Sequence, residues 1–300
     1  MTASRSVGER LVDPAFGLGW GMTRHLPEGL TSRLAMGVAD RLARRRTGSV
    51  GQLERNLRRA VPDASPAQLD DLSRQAMQSY LRYWHEVFRL RSWPEKRVVD
   101  AVVTSGEDGL RHGFAGGRGA IIALPHMANW DHAGAGACLT GMPVTTVAER
   151  LRPPSLFDRF VSYREELGME VVPLTGAGSA LAALRASLAR GRLVCLLADR
   201  DLTGAGIEVR LLGEPARMAG GPATLARLSG TPMVALTLCY RGPLLHLDFS
   251  PLIESRPGRA GLVAMTQDVA DWFSRGIAAD PVDWHMLQPV FTDDLVAADS

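Results

Sequence analysis

The stretch LPHMANWD, residues 124–131, places His126 and Asp131 five positions apart directly behind a short apolar run. Histidine is the side chain best suited to take a proton from a hydroxyl near neutral pH, and a carboxylate beside it can fix the ring tautomer and stabilise a positive charge on it. Pro125 closes the apolar run, and Asn129 can cap a helix that begins with Trp130 and Asp131. Folded back in this way, Asp131 is expected within reach of His126. The same spacing also suits a structural histidine bonded to a helix-capping aspartate, so the pair alone does not choose between chemistry and packing.

Two further apolar runs end in ionisable residues. PVTTVA (143–148) leads into Glu149 and Arg150, and RLVCLLA (192–198) leads into Asp199, Arg200 and Asp201. In open α/β sheets the ligand site lies beyond the carboxyl ends of the strands. Acid, base and cation are therefore expected together on one edge, the kind of cluster that tunes proton affinities for catalysis. Other chemistries lack their residues: there is no GxSxG elbow, no GxxxxGK[ST] or GxGxxG phosphate cradle, no HExxH and no CxxC. Asp131-His132 would suit a metal hydrolase only with a second histidine two positions after His126, where Ala128 stands, and no metal is expected.

The elements that must carry these residues differ between the two parts of the chain. Residues 1–100 read as helical, with an aromatic-containing helix over roughly 66–90 and an amphipathic one in which Leu30, Leu34, Val38 and Leu42 recur every four residues. Residues 101–300 read as strand, turn and helix repeated: strands at 119–125, 143–148, 169–174, 192–198, 207–212, 233–240 and 244–249, with helices over 155–167, 179–190, 222–229 and 260–278. Strands joined by helices predict an α/β fold, a largely parallel twisted sheet with helices on both faces, preceded by the helical region.

Composition bounds the setting. The 300 residues are 46% apolar and 22% charged, which suits a globular chain with a sizeable core. Charge or proline and glycine interrupt every apolar run before membrane-spanning length. Asp13 and Pro14 break the segment a secretory signal would need, so a cytosolic origin is expected. Cys138, Cys195 and Cys239 are widely spaced within apolar runs and are expected as reduced core residues. Of a net charge of +2, residues 1–60 carry +6 and the remainder −4. The basic end, with Arg44, Arg45 and Arg46 closing the amphipathic helix, suits either a solvated face or a surface that rests on anionic lipid. The basic residues lack interleaved aromatics and a binding motif, so nucleic acid is not an expected partner.

PHMANWD resembles the HxxxxD signature of glycerolipid-type acyltransferases. Its surroundings resemble the lipid A lauroyl/myristoyl acyltransferase superfamily, and within it the phosphatidylinositol mannoside acyltransferases. The likeness rests on ALPHMANWD (123–131), TTVAERLRPPSLFDRFVSYREELGMEVVPLTG (145–176), LLADRDLTGAGIEV (196–209), LLGEPARMAGGPATLA (211–226) and DWHMLQPVF (283–291), in that order. The resemblance implies transfer of a fatty acyl chain from acyl-CoA, a co-substrate rather than a cofactor, to a mannose hydroxyl of a phosphatidylinositol mannoside. It implies His126 as general base, Asp131 as the aspartate that positions it, and Asp199 as an acid that pairs with the same histidine. Glu149 and Arg164 match polar residues near the sugar; Arg150, Arg200 and Asn129 join them as substrate contacts. The small residues Ala133 to Ala137 would leave room for an acyl chain, or would serve close helix-on-sheet packing. A lipid acceptor implies a peripheral protein at the cytoplasmic face of the plasma membrane. A lipid A type enzyme using acyl carrier protein, and a non-catalytic lipid-binding protein of the same fold, are the alternatives.

Overall fold

A computed structural model of the chain describes residues 26–46, 48–117, 119–149, 153–174, 177–201 and 204–299. Among the described residues four helices come first: α1 (Glu28–Arg45), α2 (Gly48–Ala60), α3 (Pro66–Leu90) and α4 (Glu95–Asp100). The longest, α3, starts at a capping box in which Ser65 and Gln68 satisfy each other's backbone, with Pro66 at the first helical position. Its first half packs with α1 and α2 around Leu53, Leu57 and Met77. Its second half enters the α/β body, where Tyr83, Val87 and Leu90 share a core with residues 156–163.

The stripe Leu30, Leu34, Val38 does not face inward. These three side chains are 49%, 58% and 49% exposed, and of the four residues read as one face only Leu42 packs against the core. Thr31 and Ala39 take the inner face instead, with the Thr31 hydroxyl 2.9 Å from His85 Nε2 on α3. Their small size lets the two helices lie close together.

Nine strands follow among the described residues: β1 (Val102–Ser105), β2 (Ala120–Leu124), β3 (Val144–Ala148), β4 (Glu170–Pro173), β5 (Leu193–Leu197), β6 (Ile207–Leu211), β7 (Glu214–Met218), β8 (Met233–Arg241) and β9 (Leu244–Phe249). Seven form one sheet in the order β1-β9-β8-β2-β5-β3-β4. Neighbours from β8 to β4 run parallel, while β9 runs antiparallel to β8 and carries β1 alongside it. The expected strand at 207–212 forms, but as β6 of a separate hairpin with β7. The remaining helices are α5 (Asp108–Ala115), α6 (Trp130–Leu139), α7 (Pro154–Glu166), α8 (Ala177–Ala189), α9 (Gly221–Ser229), α10 (Gly258–Ala279) and α11 (Thr292–Asp299). Every residue of β2 is buried. Since alternate side chains point to opposite faces, both faces of the sheet are covered there, as a mainly parallel sheet requires.

Candidate active site

The sheet register brings three strand exits to one level. Leu124 of β2 pairs with Leu197 of β5, so His126 and Asp199 each stand two residues further on. Thr146 of β3 pairs with Cys195, which sets Glu149 beside Ala198. Pro125 turns the chain out of β2, and Ala128 adopts φ of +44°. Asn129 then caps α6 as its sequence position predicts, its Oδ1 accepting the His132 N–H at 2.9 Å.

The fold-back does not deliver Asp131 to the imidazole. In the first turn of α6 its carboxylate points toward α3 and α7, where it accepts the Tyr83 hydroxyl at 3.0 Å and Arg164 Nε–H at 2.7 Å. Burial and the nearby Asp131 push the Tyr83 hydroxyl well above its ordinary pKa, so it stays a donor. Burial opposes the charge on Arg164, but the Asp131 carboxylate overrides it and raises the guanidinium pKa.

Asp199 holds the histidine instead. Its Oδ1 lies 2.6 Å from His126 Nδ1, and its Oδ2 accepts both the His126 backbone N–H and the Trp284 indole N–H at 2.9 Å. Burial works against this charge, yet His126 and the indole together keep the carboxyl below the usual aspartate range. Three donors on one carboxylate leave Nδ1 as the protonated ring atom, so Nε2 carries the lone pair. The side chain of Asp199 is wholly buried whereas that of His126 is 21% exposed, which opens one side of the ring to solvent. The edge of Trp130 closes another side, at 5.5 Å between ring centres and 80° between planes.

The other expected residues divide. Glu149 and Arg200 meet at 3.2 Å beside the Asp199 strand end, with Glu149 half exposed. Arg164 joins the site through Asp131. Asn129 does not face a substrate: it is fully buried, with Oδ1 spent on the cap and Nδ2 donating to Glu86 Oε2 at 2.9 Å. Arg150 lies outside the described residues. Trp284, Glu86 and Tyr83 also shape the site. The sequence shows Tyr83 only within the aromatic-containing helix and Trp284 only within a matching block, because their contacts with Asp131 and Asp199 are tertiary.

Beneath α6 lies a cavity of about 210 Å³. Ala133, Gly134, Gly136 and Ala137 form its helix side, and Leu124 and Leu197 are among the sheet residues opposite. Trp130, which touches His126, also lines it, as does the Asp131–Arg164 pair. The small residues of α6 therefore leave open space rather than closing on the sheet.

The candidate site is thus a carboxylate–imidazole pair at the strand ends of an α/β sheet, with a cavity under the next helix. The chain belongs to the bacterial lipid A biosynthesis acyltransferase family, whose model matches residues 10–293. It is 40% identical over 290 residues to the phosphatidylinositol mannoside acyltransferase of Mycolicibacterium smegmatis, covering 96% of this chain and 94% of the relative. It is 41% identical over 293 residues to the protein of the same name from Mycobacterium tuberculosis, covering 97% and 92%.

Proposed function

We propose that this chain transfers a long fatty acyl group from acyl-CoA to a mannose hydroxyl of a phosphatidylinositol mannoside, with His126 as general base. The observation that carries the reading is the Asp199–His126 pair standing beside an apolar cavity at the strand ends. The names of the relatives supply the acceptor class. His126 Nε2 takes the proton of the sugar hydroxyl as its oxygen attacks the thioester carbonyl. The tetrahedral intermediate then collapses with loss of the C–S bond, and the imidazolium returns its proton to the departing thiolate. The products are an ester and free CoA. Asp199 stabilises the transient imidazolium, and the thioester is already activated, so orientation is most of the remaining task. The cavity takes the acyl chain. Glu149 is assigned to the acceptor sugar, Arg164 to the surroundings of that sugar through its pairing with Asp131, and Arg200 to anionic charge on the substrate.

Thiol release from palmitoyl-CoA should require added phosphatidylinositol mannoside, and His126→Ala should abolish it. Release without acceptor, or unchanged release by the variant, would refute the reading. The same acyl group supplied on acyl carrier protein separates the lipid A type alternative, and absence of turnover with either donor favours the lipid binder.

The same proposal places the protein at the cytoplasmic face of the plasma membrane, docked by α1. No helix among the described residues is long and apolar enough to cross a membrane. Leu30, Leu34 and Val38 stand in solvent on a helix that ends in Arg44 and Arg45, a pairing of apolar and basic residues that suits an anionic bilayer. Arg46 is already engaged by Asp70. Leu34→Glu should weaken sedimentation with anionic vesicles about tenfold or more, from lost apolar burial alone. Arg44→Gln with Arg45→Gln should do so by a similar factor that vanishes at high salt. Unchanged sedimentation of both variants would remove α1 from the docking surface.

A further inference from the structure

We propose that Trp284 is a positioning residue for the base, an assignment that rests on the His126 reading above. The indole N–H donates to Asp199 Oδ2 at 2.9 Å, and both side chains are fully buried. This contact fixes the rotation of the carboxylate, so that Oδ1 is left to His126 Nδ1–H. Without the indole, Oδ2 would keep only the His126 backbone N–H.

Trp284 is the centre of a three-residue brace on the loop that carries the histidine. It pairs with Met127 as an antiparallel bridge. On one side of that bridge the His285 N–H donates to the His126 carbonyl at 2.7 Å, and on the other the Ala128 N–H donates to the Asp283 carbonyl at 2.9 Å. The brace thus spans Ala128, whose left-handed backbone a residue other than glycine keeps only where its surroundings hold it. The brace is itself anchored to the rest of the fold. Asp283 accepts the Ser79 hydroxyl at 2.5 Å and the Tyr240 N–H at 2.7 Å. With its own proton given to Asp283, Ser79 Oγ accepts from His285 Nε2–H at 2.9 Å. Burial, with His126 nearby, holds the His285 pKa down at about 3, so this second imidazole stays neutral and does not compete for the proton.

Among the described residues, the charged and titratable groups named here each have a partner of their own. His126 faces Asp199 directly; Asp283 turns its carboxylate to Ser79 and Tyr240; Arg200 and Glu149 pair with each other at the adjoining strand ends. The indole N–H is the side-chain donor to Asp199 that does not titrate. Burial pushes the Asp199 carboxyl upward and its donors push it down. Loss of one donor lets burial gain, so the carboxylate should protonate at a higher pH than in the parent.

The test removes the N–H while keeping the ring. Benzothienylalanine at position 284, in which sulfur replaces the indole N–H, should lower kcat about tenfold, the factor expected for one hydrogen bond to a charged group. KM for palmitoyl-CoA should stay unchanged, so that the loss falls on kcat alone. Trp284→Phe should show the same kinetic changes together with a lower melting temperature from lost packing. Parental kcat for the benzothienylalanine protein, with His126→Ala inactive, would overturn the assignment and leave the base reading standing. An active His126→Ala protein would overturn both.

Discussion

Asp199→Asn should lower kcat by about four orders of magnitude, the scale set by carboxylate removal behind a catalytic histidine. The reason is the tautomer rather than the loss of one contact. Asp199 Oδ1 now accepts from Nδ1–H, which leaves Nε2 bare. An asparagine presents an N–H to Nδ1 as readily as an oxygen, and the ring proton then moves to Nε2, the atom to which the proposed function assigns the proton of the acceptor hydroxyl. The fold should survive, because the amide oxygen can still take the His126 and Trp284 N–H groups now held by Oδ2. Single-turnover assays with palmitoyl-CoA would show the loss in the chemical step and little change in donor binding.

Asp131→Asn makes the contrast that decides between the two acids. Asp131 ties Tyr83 and Arg164 to the first turn of α6, so its loss leaves a largely buried arginine short of its partner. The expected cost is about 3 kcal/mol of stability, read by denaturant unfolding, with a smaller loss of kcat than for Asp199→Asn. A deeper kinetic defect in Asp131→Asn than in Asp199→Asn would return Asp131 to the role that the spacing of HMANWD suggests.

Local signals and long-range ones were not equally readable in the chain. Pro125, the asparagine cap and the fully apolar AIIAL run made the strand, turn and helix around His126 legible, and β9 forms over the residues read as a strand. The expectation that three strand ends share one edge also holds, since it follows from parallel pairing. Spacing alone pointed to Asp131 and only the family resemblance pointed to Asp199, because the contact that forms spans 73 residues and depends on register, whereas Asp131 is turned aside by the rotation of the helix it opens. The inner face of α1 was hidden for a related reason. Its leucine stripe satisfies helical periodicity, but Thr31 and Ala39 fit against α3 more closely, a matter of shape rather than hydropathy. The strand β1 escaped notice because it has four residues, most of them exposed, at the edge of the sheet.

Gly136→Phe should abolish the use of long-chain donors while sparing short ones. Gly136 lines the cavity on α6, and a Cβ added there meets Val102 Cγ2 at 3.5 Å, an ordinary contact, so the substitution is tolerated at its root. Gly136 and Val102 both line the cavity, so the ring beyond the Cβ is expected to occupy part of it. Each methylene denied burial costs about 0.8 kcal/mol, so excluding roughly four of them weakens a palmitoyl donor by about two orders of magnitude. An acetyl or butyryl thioester, too short to reach the ring, should keep its kcat/KM. Gly134→Ala should give a graded version of the effect, since its Cβ would fall 2.6 Å from the Met169 sulfur and displace that flexible side chain, itself part of the cavity wall. The comparison across chain lengths separates occupation of the slot from damage to the site, because a disturbed His126 would slow every donor equally. Retained use of long-chain donors in both variants would mean that the acyl chain lies elsewhere, and the space under α6 would then need another occupant.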